Sequence, residues 1–274
     1  PSPRAVGESG RGAAGRVPAS IRSGRHTGRM RAAVHPFLAT RFQAVAHRGG
    51  TLFGVPENTA AAFAQAASMG FTFVETDLQL TADGTLVAFH DDTLERLTDT
   101  AGPISARTFA DLADLRVDDL EPIPAFADLL EAFPSLVFNV DLKGAGTEDL
   151  LPPLLERMGA RGRVCVGSFS SRRLERFRRL AGSRVATSLT PAELVRLVAL
   201  GPSAGPWLRG DVAQIPRRHR GIPLVTPRLL RSTHLHGGKV HVWTVNNVAA
   251  MEELIDSGVD GLVTCRLTHV YPDG

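Results

Sequence analysis

Between Phe42 and Cys265 the chain alternates eight short apolar runs with helical segments. Strands joined through helices lie parallel in a sheet that is covered on both faces, so each run must account for both of its faces. The runs span residues 42–46, 71–78, 136–144, 164–169, 184–188, 211–215, 239–246 and 261–265, with a further short run at 86–90. Several of them carry polar side chains on one face. Burying such groups costs free energy unless they are paired or used.

The first run delivers His47 and Arg48 to Gly49-Gly50, where the backbone can leave the strand in conformations that a Cβ forbids. Alternation along the second run puts Phe73, Glu75, Asp77 and Gln79 on one side and Thr72, Val74, Thr76 and Leu78 on the other. Adjacent carboxylates repel, and a hard divalent cation with oxygen ligands relieves the repulsion. The same pair also suits a solvent-facing strand end, and Glu-x-Asp alone leaves both readings open. In the third run Asn139, Asp141 and Lys143 lie opposite Phe138, Val140 and Leu142. A cation held by Glu75, Asp77 and Asp141, with Arg48 and Lys143 beside it, makes a site for a phosphate ester, because positive charge neutralises the phosphate oxygens. His47 and His90 then read as general acid and base. Each histidine alone has a structural reading; their joint occurrence at successive strand ends carries the argument.

Taken in order, His47-Arg48-Gly49, Pro56-Glu57-Asn58-Thr59, Glu75-Thr76-Asp77, His90-Asp91, Asn139-Val140-Asp141-Leu142-Lys143 and Val242-Trp243-Thr244-Val245-Asn246 resemble the glycerophosphodiester phosphodiesterase family. The resemblance implies a (β/α)8 TIM barrel with a short insertion after the second strand. It implies hydrolysis of a small-molecule glycerophosphodiester to sn-glycerol 3-phosphate and an alcohol, with one divalent cation, Mg2+ or Ca2+, as cofactor. By the same resemblance His47 and His90 take the acid-base roles, Glu75 and Asp77 the metal, and Arg48 and Lys143 the phosphate. Asp141 stands where many members have glutamate and still offers a carboxylate to the metal. Many members have aspartate and proline where this chain has Cys265 and Leu267. A lysophospholipase D-type hydrolase and a non-catalytic phosphodiester-binding protein are the alternatives; the second would be signalled by a missing histidine or carboxylate, and none is missing.

Around these residues the expectations are more local. Trp243 walls the glycerol carbons or packs in the core, and Asn246 makes a polar contact or caps a helix starting at Ala249. Glu57 holds Arg48 or a ligand, while Asn58 or Thr59 caps the next helix. Residues 91–122 exceed what a strand-helix loop needs, so they are read as an insertion that shapes the pocket on the alcohol side, with a short helix at 109–115. Pro152-Pro153 should kink a helix over 147–158 or delay its start. Trp207 is a core anchor or a pocket wall, and Cys265 a small buried residue.

Residues 1–33 hold seven arginines and one acid, Glu8, and show no apolar periodicity. They are expected to form a disordered basic extension ahead of a single enzyme domain over 34–274, and with a translation start at Met30 the first 29 of them are upstream sequence. Without their +6 the net charge of +3 becomes −3, so the basic balance of the whole chain does not point to nucleic acid. Two cysteines far apart suit a reducing, cytoplasmic compartment. No apolar run is long enough to cross a bilayer, which leaves peripheral contact as the form that membrane association would take.

Overall fold

Residues 35–51 and 54–267 are described in a computed structural model of the chain. The basic stretch 1–33 and the proposed start at Met30 lie outside the described residues.

A one-turn helix, α1 (Pro36–Ala39), precedes β1 (Gln43–Ala46); α2 (Ala60–Ser68), β2 (Phe73–Leu80) and β3 (Leu86–Ala88) follow. The insertion holds the hairpin β4 (Arg116–Val117) and β5 (Glu121–Pro122). Beyond it come α3 (Phe126–Ala132), β6 (Val137–Leu142), α4 (Thr147–Arg157), β7 (Val164–Gly167), α5 (Ser171–Ala181), β8 (Ala186–Thr187) and α6 (Pro191–Leu200). The chain continues through β9 (Val212–Pro216), the hairpin β10 (Arg218–His219) and β11 (Ile222–Pro223), α7 (Pro227–Leu235), β12 (Lys239–Trp243), α8 (Val248–Asp256) and β13 (Gly261–Thr264).

The parallel strands run in the order β8-β7-β6-β2-β1-β13-β12-β9, and a parallel bridge from Ser188 to Val212 joins the two ends. This is the expected (β/α)8 barrel, and β3 pairs antiparallel with the outer end of β2. Helix starts follow strand ends because a side-chain oxygen accepts from the first-turn N–H groups: Thr59 for α2, Ser170 for α5, Thr190 for α6, Thr226 for α7 and Asn247 for α8. The double proline does not delay α4, which starts at Thr147 and runs through Pro152 and Pro153; Leu151, Pro152, Leu154 and Leu155 are buried, and that packing offsets the missing donors.

Alternation sorts the strands into two layers. Val74 and Leu78 of β2 and Phe138, Val140 and Leu142 of β6 face outward into the core beneath the helices. Inside the barrel, Phe37 of α1 joins Val45, Phe73, Cys165, Ala186, Val212 and Val263 to fill the floor. Buried His35 reaches the Ser183 carbonyl at 3.2 Å and is structural. Above this floor the inward positions turn polar. The insertion has its own small core of Val87, Phe89, Leu94, Leu97, Ile104, Leu112, Val117 and Ile123; residues 110–112 form a single 3-10 turn where a short helix was expected.

Candidate active site

His47 opens a tight turn directly after β1 in which Arg48, Gly49 and Gly50 all take positive φ, 52°, 84° and 88°. A Cβ at Gly49 would lie 2.6 Å from the Ala62 Cβ, so the turn can press onto α2 only with glycine there. The result is that His47 and the Arg48 guanidinium both face the barrel mouth. On β2, Glu75 and Asp77 point inward and are buried, 7% and 2% exposed, which excludes the solvent-facing reading of the pair. Asp77 lies in register with Asp141 of β6.

All eight residues singled out from the sequence line one cavity of about 250 Å³: His47, Arg48, Glu75, Asp77, His90, Asp141, Lys143 and Trp243. Its lining also includes the apolar Phe169, Leu189, Pro191, Leu194 and Trp243, and Lys143 Nζ lies over the Phe169 ring at 5.2 Å. The Phe169 and Trp243 rings meet edge-to-face at 5.7 Å, so Trp243 is a wall of the cavity. Among the described residues the insertion 91–122 contributes nothing to the lining. It acts from behind the site instead, which corrects the expectation that it shapes the pocket.

The cations and acids interleave. Arg48 Nε is 3.4 Å from Asp77 Oδ2, and Lys143 Nζ is 3.3 Å from Asp77 Oδ1 and 2.7 Å from Asp141 Oδ2. Burial opposes a charge on Lys143, but Asp141 and Asp77 outweigh it and hold the ammonium above lysine's ordinary range. Glu75 accepts from the Arg48 backbone N–H at 3.1 Å; burial, then repulsion from Asp77 and Asp141, pushes its carboxyl well up. Burial also raises Asp141, against the pull of Lys143, and Asp141 Oδ1 is buried with no hydrogen-bond partner among the described residues. Among the described residues no three acids, imidazoles or thiols close around a single point. The donor set is nonetheless all oxygen, over-rich in negative charge and holds an orphaned oxygen, and those properties fit a hard divalent cation.

Both histidines are held through Nδ1. His90 Nδ1 is 2.5 Å from Asp91 Oδ1, and His47 Nδ1 is 3.2 Å from Cys265 Sγ. Each therefore keeps Nε2 for chemistry; His47 Nε2 lies 3.8 Å from Glu75 Oε2. Cys265 is thus partly exposed at the site, not the inert buried residue expected. Burial pushes its thiol up, but hydrogen bonds with His47 and Thr51 prevail and leave it below the ordinary thiol value. Asp91 is likewise opposed by burial, yet hydrogen bonds from Arg96 and His90 hold it at about 2.

Behind these groups runs a connected support. Glu57 Oε1 accepts from Arg48 Nη1 at 2.8 Å, the expected hold on Arg48, and from Arg96 Nη2 at 2.6 Å. Arg96 Nε then donates to Asp91 Oδ2. Asn58 proves to be no cap: its amide donates to Asp77 Oδ2 at 3.1 Å and its oxygen accepts from Thr76 at 2.8 Å. Gln79, on the acid face of β2, pins the His90 loop through the Asp91 carbonyl at 3.0 Å. Asn246 is not the cap, since Asn247 caps α8; it makes a polar contact, its oxygen accepting from Thr264 and the Cys265 N–H. Trp207 is half exposed, so it is no core anchor, and it lines a separate surface pocket beside Arg179 and Arg196, apart from the cavity.

The sequence pattern of the glycerophosphoryl diester phosphodiesterase family matches residues 47–268. A probable glycerophosphodiester phosphodiesterase 2 of Mycobacterium tuberculosis is 39% identical over 229 residues, covering 81% of this chain and 87% of that protein. The crystal structure of a glycerophosphodiester phosphodiesterase from Agrobacterium tumefaciens superposes with a TM-score of 0.70 at 23% identity, over 84% of this chain and 98% of that one. An Oleispira antarctica phosphodiesterase, solved in complex with the product sn-glycerol-3-phosphate, gives 0.68 at 24% identity over 83% and 94%. At these identities the two structures speak to the fold alone.

Proposed function

Because this chain belongs to the glycerophosphoryl diester phosphodiesterase family, we propose that it hydrolyses glycerophosphodiesters to sn-glycerol 3-phosphate and an alcohol. The observation that carries the reading is the meeting, in one cavity, of two histidines held at Nδ1 with two cations and three acids.

Arg48 and Lys143 take the nonbridging oxygens of the phosphodiester, since both are positive and already face carboxylate oxygens at the cavity wall. One histidine Nε2 takes the proton of the attacking water, whose oxygen bonds to phosphorus as the bond to the alcohol oxygen breaks. The other returns a proton to the departing alcohol oxygen, so that the pair ends the turnover with its protons exchanged. Cys265 and Asp91 fix the two rings, Asn58 and Glu57 fix Asp77 and Arg48, and Trp243 with Phe169 packs the glycerol carbons. Glu75, Asp77 and Asp141 are the residues that would hold the divalent cation, Mg2+ or Ca2+, which supplies charge neutralisation at the phosphate when bound.

The apolar lining residues Phe169, Leu189, Pro191 and Leu194 favour a second reading, a lysophospholipid substrate with its chain along them. The deciding experiment is release of sn-glycerol 3-phosphate from glycerophosphocholine by the purified chain in Mg2+, Ca2+ or EDTA, beside lysophosphatidylcholine. Cation-dependent turnover of the first supports the main reading. Turnover of the lysophospholipid alone transfers it to the second, and turnover of neither overturns both.

A further inference from the structure

We infer that the cavity rim around the β10–β11 hairpin is a docking surface for an anionic lipid bilayer. Pro216, the last residue of β9, pairs with the cavity-lining Trp243 of β12, so the hairpin leaves the barrel at the cavity mouth. Arg218 and His219 pair with Pro223 and Ile222. Arg220 and Gly221 form the turn, with φ of 49° and 82°, the positive pair that closes a tight hairpin. A backbone bond from the Leu224 N–H to the Arg217 carbonyl, 3.0 Å, closes its base.

Charge and exposure set this segment apart. Residues 216–226 hold three arginines and a histidine and no acid, while residues 34–274 as a whole carry an excess of acid. On α5, three of the five arginines, Arg173, Arg176 and Arg178, meet a glutamate or aspartate. On the hairpin Arg217 meets Glu253 at 2.7 Å, while among the described residues Arg218 donates only to the Gly221 carbonyl of its own turn and Arg220 has no acidic partner. Exposed apolar side chains accompany these cations. Ile222 is 64% exposed on the hairpin, and Phe169, packed on Trp243 at the same mouth, is 67% exposed.

A polyanion such as nucleic acid would take the arginines and leave Ile222 in water, whereas a bilayer surface takes both, the cations at its headgroups and the apolar side chains at the acyl boundary. Each arginine at an anionic surface is worth about fivefold in partitioning. Docking would set the cavity mouth against the surface that releases glycerophosphodiesters and lysolipids.

The test is co-sedimentation of the full chain with phosphatidylcholine vesicles, with and without phosphatidylglycerol, for wild type, Arg218→Glu/Arg220→Glu and Ile222→Ser. Binding only to the anionic vesicles, weakening with salt, is expected; the double reversal lowers it about 25-fold or more, and Ile222→Ser about tenfold. Turnover of soluble glycerophosphocholine stays at the wild-type level in both variants, which shows that they fold. Equal binding to neutral vesicles, no binding at all, or full binding by the double reversal would overturn the inference. The last outcome would assign binding to the seven arginines of residues 1–33.

Discussion

The Cys265 sulfur stands 3.2 Å from Nδ1 of His47 although 218 positions separate the two residues. The contact gives His47 the same support at Nδ1 that Asp91 gives His90, from a neutral or thiolate sulfur in place of a carboxylate. Replacing Cys265 by leucine removes the partner and leaves the ring free to turn, so kcat should fall about 10- to 100-fold, in the range found for residues that orient catalytic groups. Serine, which still hydrogen-bonds, should restore most of it. Iodoacetamide should inactivate the wild type and spare Cys265→Ser, because Cys165 is fully buried and burial pushes its thiol well up. Equal inactivation of both proteins would refute the assignment.

Arg96 joins the two halves of the site. It holds Glu57, which holds Arg48, and it holds Asp91, which holds His90. Arg96→Ala should therefore raise KM, as Arg48 loosens, and lower kcat, as His90 loosens, each by about tenfold. Arg96→Lys should recover one effect at most, since a single ammonium cannot make both bonds at fixed geometry. The check is kcat and KM measured separately, with thermal melting to establish the fold; an effect on melting alone would leave Arg96 a purely structural tie.

Glu75 is a local strain on the metal-free protein. Its buried carboxyl is pushed up by burial and by Asp77 and Asp141, so the folded state holds that proton more tightly than the unfolded chain does. The stabilising protonation is complete below the ordinary value of 4.5 and is lost as pH rises. Glu75→Gln removes the charge and can still accept from the Arg48 N–H. In EDTA at pH 7 the variant should be more stable than wild type by ~1 kcal/mol while its turnover is lost. Urea melts of the two proteins provide the comparison, and a less stable variant would contradict the account.

What could be read from the sequence and what could not divide along one physical line. Alternation within a strand is local, so the sequence alone assigns Glu75 and Asp77, and Asp141 and Lys143, to one face of their strands, and the barrel interior is where that face lies. Contacts that close the barrel are not local. β1 pairs with β13, Ala46 opposite Thr264, and the next residue of each strand is His47 and Cys265. The signal was present, since the first and eighth strands of a closed sheet must be neighbours. Arg96 and Gln79 were hidden differently: a long side chain reaching back from an irregular insertion, or holding a loop by its carbonyls, leaves no periodic trace. Asn58 and Asn246 show the converse, because an asparagine beside a helix start reads as a cap even where its amide is tied to a strand end.

Beneath the site, His241 is fully buried on the barrel floor beside Phe37, with ring centroids 5.6 Å apart and no hydrogen-bond partner at either nitrogen among the described residues. Burial, with a smaller push from Lys239, holds its value down to about 3 from the ordinary 6.5, so the folded protein keeps a neutral imidazole where the unfolded chain takes up a proton. Between these values the unfolded state binds more protons, and stability falls as pH is lowered through the window, by up to ~1.4 kcal/mol per pH unit. The expected result is a steep loss of stability from pH 6 to pH 4.5 in urea melts of the wild type. His241→Leu removes the titrating group and two orphaned nitrogens while keeping the floor filled, and should flatten that slope. A parallel slope in both proteins would place the acid sensitivity in other groups.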